Sequence, residues 1–398
     1  MAKNPNDIVV IDGVRTPMGS FGGTLKDIPA HALGTAAIKA ILKRTGLDPD
    51  LIDDVMGANT RQAGNGPNPV RTAMRNGGLK PEIPAGTMNC ACPSSMKATI
   101  QMAQNLMLGD AQLGLVVGFE SMSTIPYFIR NIRWGGLRFG DGVIQDGWSD
   151  SVDPVVGYGM GMTAENVNEK YQITREEQDE YALGSHQKAA VAQDNGWFDN
   201  EVVPVEVPQP KGKPPIIFEK DESIRRDTNM EKMGKLPPSF KEGGTVTAAN
   251  SCGLTDGGSC LIITTRKRAD ELGLKPIWKM VSYATAAVDN STMGEGPGVS
   301  IPMALKRAGM TVQDIDVFEI NEAFAAQVLS NLRLMDMDLT KVNFHGGAIA
   351  LGHPTGCSGA RIQITGYNVL KRLDKEWLAC GICGGGGVTC AMVIQREL

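Results

Sequence analysis

A strand–helix–strand order that occurs twice at one spacing constrains the fold of this chain more than any other feature. Leu42-Lys43-Arg44-Thr45-Gly46-Leu47, followed by Ile52-Asp53, returns as Leu305-Lys306-Arg307-Ala308-Gly309-Met310, followed by Ile315-Asp316, both at an offset of 263 residues. Ser94-Ser95-Met96-Lys97 faces Ser358-Gly359-Ala360-Arg361 at an offset of 264. Chance likeness of two βα units is the competing reading. An offset shared by several elements favours duplication, and with it two related α/β halves.

The local patterns point the same way. Ile8 to Ile11 is a short apolar run before Asp12-Gly13, read as a buried strand and a turn. Pro29 opens a helix through Leu33, Ala37, Ile41 and Leu42, and Gly46 ends it. Leu51 to Met56 returns as a strand, which makes a βαβ unit and implies a parallel sheet. Leu113 to Val117 is another strand run. The segment from about 119 to 250 takes no part in the repeat. Its one clear helix starts at a capping box, Thr174-Arg175-Glu176-Glu177, and irregular stretches rich in Gly and Pro (133–142 and 204–215) flank it. Long loops in a compact protein are usually functional or disordered, and this one is read as a ligand-binding lid. The expected division is a first half over 1–118, completed by about 251–272, an insertion over 119–250, and a second half over 273–398.

A net charge of −5 with no basic cluster argues against nucleic acid as a partner. No apolar run approaches the roughly 20 residues that span a bilayer, so no membrane role is expected. The N-terminus lacks an apolar signal core and the final Arg-Glu-Leu is not a targeting tripeptide, so the expected location is cytoplasmic. Eight Cys in 398 residues make no disulfide framework. Cys380 and Cys383 form a C-x-x-C without a second pair at zinc spacing, so no metal site is expected.

Four places carry candidate chemistry. Cys92 precedes Pro93 and a helical stripe of Met96, Ile100, Ala103 and Met107 that Gly109 stops. It would sit at the positive end of a helix dipole, which lowers a thiol pKa and favours thiolate; otherwise a free Cys is a small buried hydrophobe. Asn321-Glu322-Ala323-Phe324-Ala325 follows the apolar run Val317 to Ile320, at the strand end where open α/β sheets place ligands. An Asn-capped helix is the alternative there. His353 lies between Gly352 and Pro354 in a glycine-rich loop before a helix, and is one of only four His. Cys383 is followed by Gly384 to Gly387, a thiol beside free backbone N–H groups that offers a proton carrier and an oxyanion site. A buried Cys at a strand end is the plainer reading.

Taken together, Asn-x-x-Cys-x-Ser (Asn89, Cys92, Ser94), Asn-Glu-Ala-Phe, Gly-Gly-Ala-Ile-Ala-Leu-Gly-His-Pro and Cys-x-Gly-Gly resemble the thiolase family over essentially the whole chain. The resemblance implies two pseudo-duplicated βαβαβ halves in a five-layer α-β-α-β-α fold with an inserted loop domain. It implies an acyltransferase that cleaves 3-oxoacyl-CoA with CoA, or runs the reverse Claisen condensation. Cys92 would be the nucleophile, His353 its activator and Cys383 the acid or base. One oxyanion hole would use His353 with a water held by Asn321, the other the N–H groups of Cys92 and Gly385. Coenzyme A would be a substrate, with no permanently bound cofactor, touching the loop of Ala248 and Cys252, Met160 and, through phosphate, Arg225. A homotetramer (a dimer of dimers, with 133–142 as its contact loop) and a place in fatty acid metabolism follow by the same analogy.

Some positions depart from the family pattern. Ser95 stands where Gly is usual and risks crowding a close contact. Cys90 adds a second thiol two residues before Cys92. Cys252 replaces a common Ser, and His345 a common Asn. Gly159 replaces the His of short-chain biosynthetic members, which suggests a roomier acyl pocket. Competing readings are a decarboxylating or non-decarboxylating condensing synthase of the same superfamily and an acyl-CoA-binding homologue with impaired catalysis. If Cys92 and Cys383 converge, they offer a reversible disulfide.

Overall fold

The computed structural model describes residues 4–130, 132–135, 139–210 and 212–397. Gly136, Leu137 and Arg138 of the 133–142 stretch and Leu398 of the final tripeptide lie outside the described residues. Nine strands carry the fold: β1 (Ile8–Arg15), β2 (Asp54–Ala58), β3 (Ala85–Met88), β4 (Leu113–Ser121), β5 (Thr255–Thr265), β6 (Trp278–Ala287), β7 (Val317–Ile320), β8 (Trp377–Cys383) and β9 (Val388–Arg396). They line up as β7-β8-β9-β6-β1-β5-β4-β2-β3. Pairing of β2 with β3 and β4, and of β7 with β8, is parallel; the remaining neighbours are antiparallel. At the centre, the two halves are joined by just two residue pairs of β1 and β6, Val9 with Lys279 and Val10 with Trp278.

Besides two short helices, Met230–Gly234 and Arg266–Glu271, the helices among the described residues are α1 (Ala30–Thr45), α2 (Pro69–Asn76), α3 (Ser94–Leu108), α4 (Met160–Tyr171), α5 (Arg175–Asp194), α6 (Gly296–Ala308), α7 (Ala325–Met335), α8 (Ala348–Leu351) and α9 (Thr355–Leu373). Strand side chains alternate between faces, and the alternation sorts the core into layers. Leu115, Val117, Cys260 and Ile262 face α1 and α2, while Val116, Leu261 and Ile263 of the same strands face α3 and α9. In the second half Leu378, Cys380, Met392 and Ile394 face α3 and α9, and Ala379, Ala391 and Val393 face α6 and α7. The result is five layers, helices–sheet–helices–sheet–helices.

The duplication extends to single hydrogen bonds. Asp53 accepts the N–H groups of Gln112 and Leu113, and Asp316 accepts those of Glu376 and Trp377. Helices α1 and α6 both end on left-handed glycines, Gly46 (φ 65°) and Gly309 (φ 69°), a conformation only glycine adopts without steric cost. In the central layer α3 and α9 meet backbone to backbone. A Cβ on Gly359 would lie 2.5 Å from the Met96 nitrogen. Ser95 fits there without crowding, because Gly118 and Gly359 face it and its hydroxyl accepts the Ala360 N–H at 2.9 Å.

The insertion is pinned to both halves by a buried network. The Arg15 guanidinium binds Glu201 (2.7 Å) and both oxygens of Asp221 (2.7 and 2.9 Å), and Glu201 also accepts from Thr365 and Asn368 of α9.

Several local expectations need correction. Asp12-Gly13 is not a turn: β1 runs on to Arg15 through a register shift between Val10 and Asp12. The bulge is held by Asp12, which accepts the Gly13 N–H and pairs with Arg44. Leu51 ends a short 3-10 turn capped by Asp48, so the strand begins only at Asp54. Met107, at the exposed end of α3, is 58% accessible rather than part of the buried stripe. The insertion holds a second long helix, α4, whose glycine-rich start hid it. The 204–215 stretch includes a strand, Val205–Val207, paired with Ile216–Phe218.

Candidate active site

Cys92 sits in a strained turn one residue ahead of Pro93, the cap of α3. Ala91 has φ 53°, a left-handed conformation that costs a residue with a Cβ about 1–2 kcal/mol. Side chains hold the turn in place: Asn89 accepts the Ala91 N–H (3.0 Å) and donates to the Thr60 carbonyl (3.1 Å), and Ser94 accepts the Cys90 N–H (2.8 Å). The N–H groups of Gly385 and of Cys92 itself are directed at the Cys92 sulfur. Burial nevertheless pushes this thiol up to about 11, which the Gly385 N–H only partly offsets. Burial thus counters the lowered pKa expected at a helix start and favours a neutral thiol at rest.

His353 follows Gly352 (φ 104°) in the loop between α8 and α9. Its Nδ1 faces the Ser358 hydroxyl at 2.6 Å, and its backbone N–H donates to the Thr255 hydroxyl at 3.0 Å. Burial, helped by Arg361, holds the ring down to about 3, so the imidazole is neutral and free to take a proton. Its Nε2 lies 3.4 Å from Asn321 Nδ2. Asn321 stands at the carboxyl end of β7, its N–H bonded to the Gly381 carbonyl, and its buried Oδ1 has no hydrogen-bond partner among the described residues. It caps no helix, since α7 begins at Ala325 behind Phe324.

Cys383 ends β8, buried among Ala164, Val246, Met293, Ala323 and Phe324, with Met160 against the cluster. Burial first, then the nearby Cys92 and Cys252 thiols, raises its pKa far above the ordinary thiol range. Three thiols thus share one neighbourhood. Gly384 is needed for it, because a Cβ there would meet Pro93 Cδ at 2.5 Å. Cys252 donates its N–H to the Ala323 carbonyl at 3.0 Å, beside the bridge between Ser251 and Phe324.

Cys92, Gly385, Cys383, Cys252 and Met160 are therefore one cluster, and Asn321 and His353 a facing pair tied to it through Gly381 and Ala323. Ala248 and Arg225 are exposed instead; Arg225 donates its backbone N–H to His186. A Cβ on Gly159, at the start of α4, would meet nothing within 4 Å, so the space the family fills with a His is open. His345 belongs elsewhere, stacked on Trp197 and accepting from Arg372 at 2.9 Å.

Sequence reasoning missed the residues that hold these groups. Glu322 accepts from Tyr181, Ser185, Asn343 and the Ile349 N–H, and so locks the Asn321 loop to α5 and α8. Thr255 and Ser358 orient His353. A carboxylate directly after an apolar strand end was the available signal for Glu322.

A duplicated five-layer α/β fold with a backbone-supported thiol, a neutral buried histidine and a second thiol defines a class of enzymes that transfer acyl groups through sulfur. Comparison with known proteins narrows the class. Residues 8–267 match the thiolase N-terminal domain and residues 274–396 the thiolase C-terminal domain. The acetyl-CoA acetyltransferase of Cupriavidus necator is 44% identical over 98% of this chain and 100% of its own. Among solved structures, the acetyl-CoA acetyltransferase from Syntrophomonas wolfei superposes with a TM-score of 0.94 at 43% identity, covering 98% of this chain and 100% of that one. Human mitochondrial 3-ketoacyl-CoA thiolase in complex with CoA does so with 0.95 at 38%, covering 99% of each. The chain belongs to the thiolase family and is an acyltransferase.

Proposed function

We propose that this thiolase works through an acyl-Cys92 thioester, with His353, Asn321 and Cys383 completing the site. The observation that carries the reading is the cluster of the Cys92 and Cys383 thiols, with the Gly385 N–H directed at the Cys92 sulfur. In the cleavage direction the Cys92 proton passes to His353 as the sulfur attacks the C3 carbonyl of a 3-oxoacyl-CoA. The C3 oxyanion is met by the Cys92 and Gly385 N–H groups, and the enolate oxygen that forms next by His353 with a water on Asn321. The C2–C3 bond then breaks, its electron pair moves onto the acetyl-CoA enolate, and Cys383 gives that carbon its proton. Free CoA adds its sulfur to the thioester against the Cys92 and Gly385 N–H groups, its proton goes to Cys383, and Cys92 recovers its own from His353. Condensation is the same path reversed, with Cys383 as base.

Coenzyme A is the substrate in this reading, supported by the relative solved with CoA. Its pantetheine would run past Ala248, Cys252 and Met160. Arg225, an exposed cation that no acidic side chain pairs among the described residues, would take phosphate. The open space at Gly159 favours acyl groups longer than acetoacetyl. Exposed apolar side chains on the 127–146 arm, including Trp134 (90%) and Phe139 (91%), suit burial in a homotetramer, a dimer of dimers. The boundary between the two family matches, at 267–274, supports a division near 272, and the insertion over 119–250 remains our reading of the residues that take no part in the repeat. Among the described residues no helix is long and apolar enough to cross a membrane, and we place the enzyme in the cytoplasm and in fatty acid metabolism.

The test is CoA-dependent cleavage of 3-oxoacyl-CoAs from four carbons upward by the wild type and by Cys92→Ala. Cleavage that disappears in the variant, with acylated Cys92 trapped from the wild type, is the expected result. No cleavage at any length while CoA still binds would defeat it and leave a non-catalytic homologue.

A further inference from the structure

The face of α9 that carries Ser358 also carries Arg361, three residues on, and β7 carries Glu319 two residues before Asn321, on the same side of the strand. Arg361 Nη1 and Glu319 Oε2 stand 3.6 Å apart, each side chain 1% exposed. The Glu319 stem lies along α9, since a Cβ on Gly366 would come within 3.0 Å of Glu319 Cγ. Two contacts thus lie in succession along this seam, Glu319 of β7 to Arg361 of α9 at 3.6 Å and, just past the strand, Asn321 to His353 in the loop that leads into α9 at 3.4 Å. Both Glu319 oxygens, Arg361 Nη1 and Nη2, and Asn321 Oδ1 are buried with no hydrogen-bond partner among the described residues. A buried ion pair spaced this loosely does little for stability, which leaves its position beside the site to be explained.

We infer that Glu319 and Arg361 are positioning residues: they set the spacing of β7 and α9, hence of Asn321 and His353, and Glu319 supplies the negative charge that lets His353 become cationic beside Arg361. The inference rests on the proposed role of His353. Arg361 faces His353 and opposes its protonation; an ionised Glu319 cancels that charge. The other groups facing Glu319 are Glu322 at its own strand end, Glu201 of the insertion, Lys188 of α5 and Cys380 of β8. Burial holds the Glu319 carboxyl up to about 8, Arg361 pulling it back, so its charge changes within the working range.

Glu319→Gln keeps the volume and removes the charge. The wild-type kcat should rise with pH through about 8. The variant should run without that step, about tenfold slower at pH 9, with KM within about twofold and an unchanged melting temperature. The double variant Glu319→Gln/Arg361→Gln should recover part of the lost rate, because both charges are gone; a purely structural pair would give the opposite sign. Alkylation of Cys92 by iodoacetamide, followed by mass spectrometry, needs no turnover and should show the same pH step lost. A wild type that turns over alongside a Glu319→Gln variant with the same kcat and pH profile would overturn the inference, as would a rate loss that tracks lost folded protein. A wild type without turnover would overturn the function proposed above, and the alkylation profile would still decide this one.

Discussion

Matching strand ends in the two halves are finished in opposite ways. After β2 and β4, the Glu120 carboxylate accepts from Asn59, from the backbone and side chain of Thr60, from the Arg61 N–H, and from Thr355 and the Gly356 N–H of α9. At the ends of β7 and β8, the same places hold Asn321, whose Oδ1 has no hydrogen-bond partner among the described residues, and Cys383 in an apolar pocket. One end is saturated, and a negative side chain steadies the start of the helix that follows His353. The other keeps its polar groups uncommitted. One topology, copied once, supplies a fastening in one copy and a reacting surface in the other.

This contrast breaks if changes at the two ends cost the same quantity. Asn321→Ala should lower kcat by roughly 10²–10³, the usual loss of an oxyanion donor, with little change in denaturation midpoint. Steady-state kinetics and urea unfolding on one preparation check both halves of that statement. Glu120→Ala should instead cost about 3 kcal/mol or more in urea, because several buried donors lose their acceptor together. An Asn321 variant that unfolds early, or a Glu120 variant as stable as the wild type, would erase the distinction.

Acid should act on the folded state through buried histidines on both sides. Burial, the largest cause in each, lowers His186 to about 4 and His345 and His353 to about 3. The unfolded chain binds those protons first, near 6.5, so stability is complete above that pH and declines as pH falls toward 3. Each histidine contributes a slope of about 1.4 kcal/mol per pH unit. His345→Asn, which leaves the site alone, should remove about one proton from the slope measured by urea titration between pH 6 and 4. The smallest effect belongs to Ala91→Gly. Relief of the φ 53° strain against the greater freedom of an unfolded glycine should leave a gain of about 0.5 kcal/mol, seen as a small rise in midpoint.

Much of this was legible in the residues, because duplication leaves a spacing and chemistry leaves motifs. Leu42 to Asp53 and its copy placed both βα units, and the paired aspartates Asp53 and Asp316 prove to make the same bonds. Cys92, His353 and Cys383 stand at element boundaries, as their flanking Gly and Pro implied, and Asn321 does so as the apolar run Val317 to Ile320 implied. What the residues did not show was set by burial and by distance along the chain. The helix dipole at Cys92 is a local feature, whereas its burial also depends on distant parts of the chain, such as Gly384 against Pro93. Glu120, Thr255 and Glu322 likewise act through partners far along the chain, such as Thr355, His353 and Tyr181. Helix α4 escaped notice because its apolar face answers to a cluster around Cys383, not to a long stripe of its own.

The seam at β1 and β6 is only two residue pairs wide, yet the proposed nucleophile Cys92 lies on one side of it and His353 and Cys383 on the other. Pro93 against Gly384, Thr255 against His353 and Cys252 against Ala323 are the crossings that close the site. A chain severed between 267 and 274 would leave two pieces, one with Cys92 and the other with Asn321, His353 and Cys383. Turnover would return only when they found each other. Catalysis in this molecule is therefore also a proof-reading of assembly, since a misdocked half is silent.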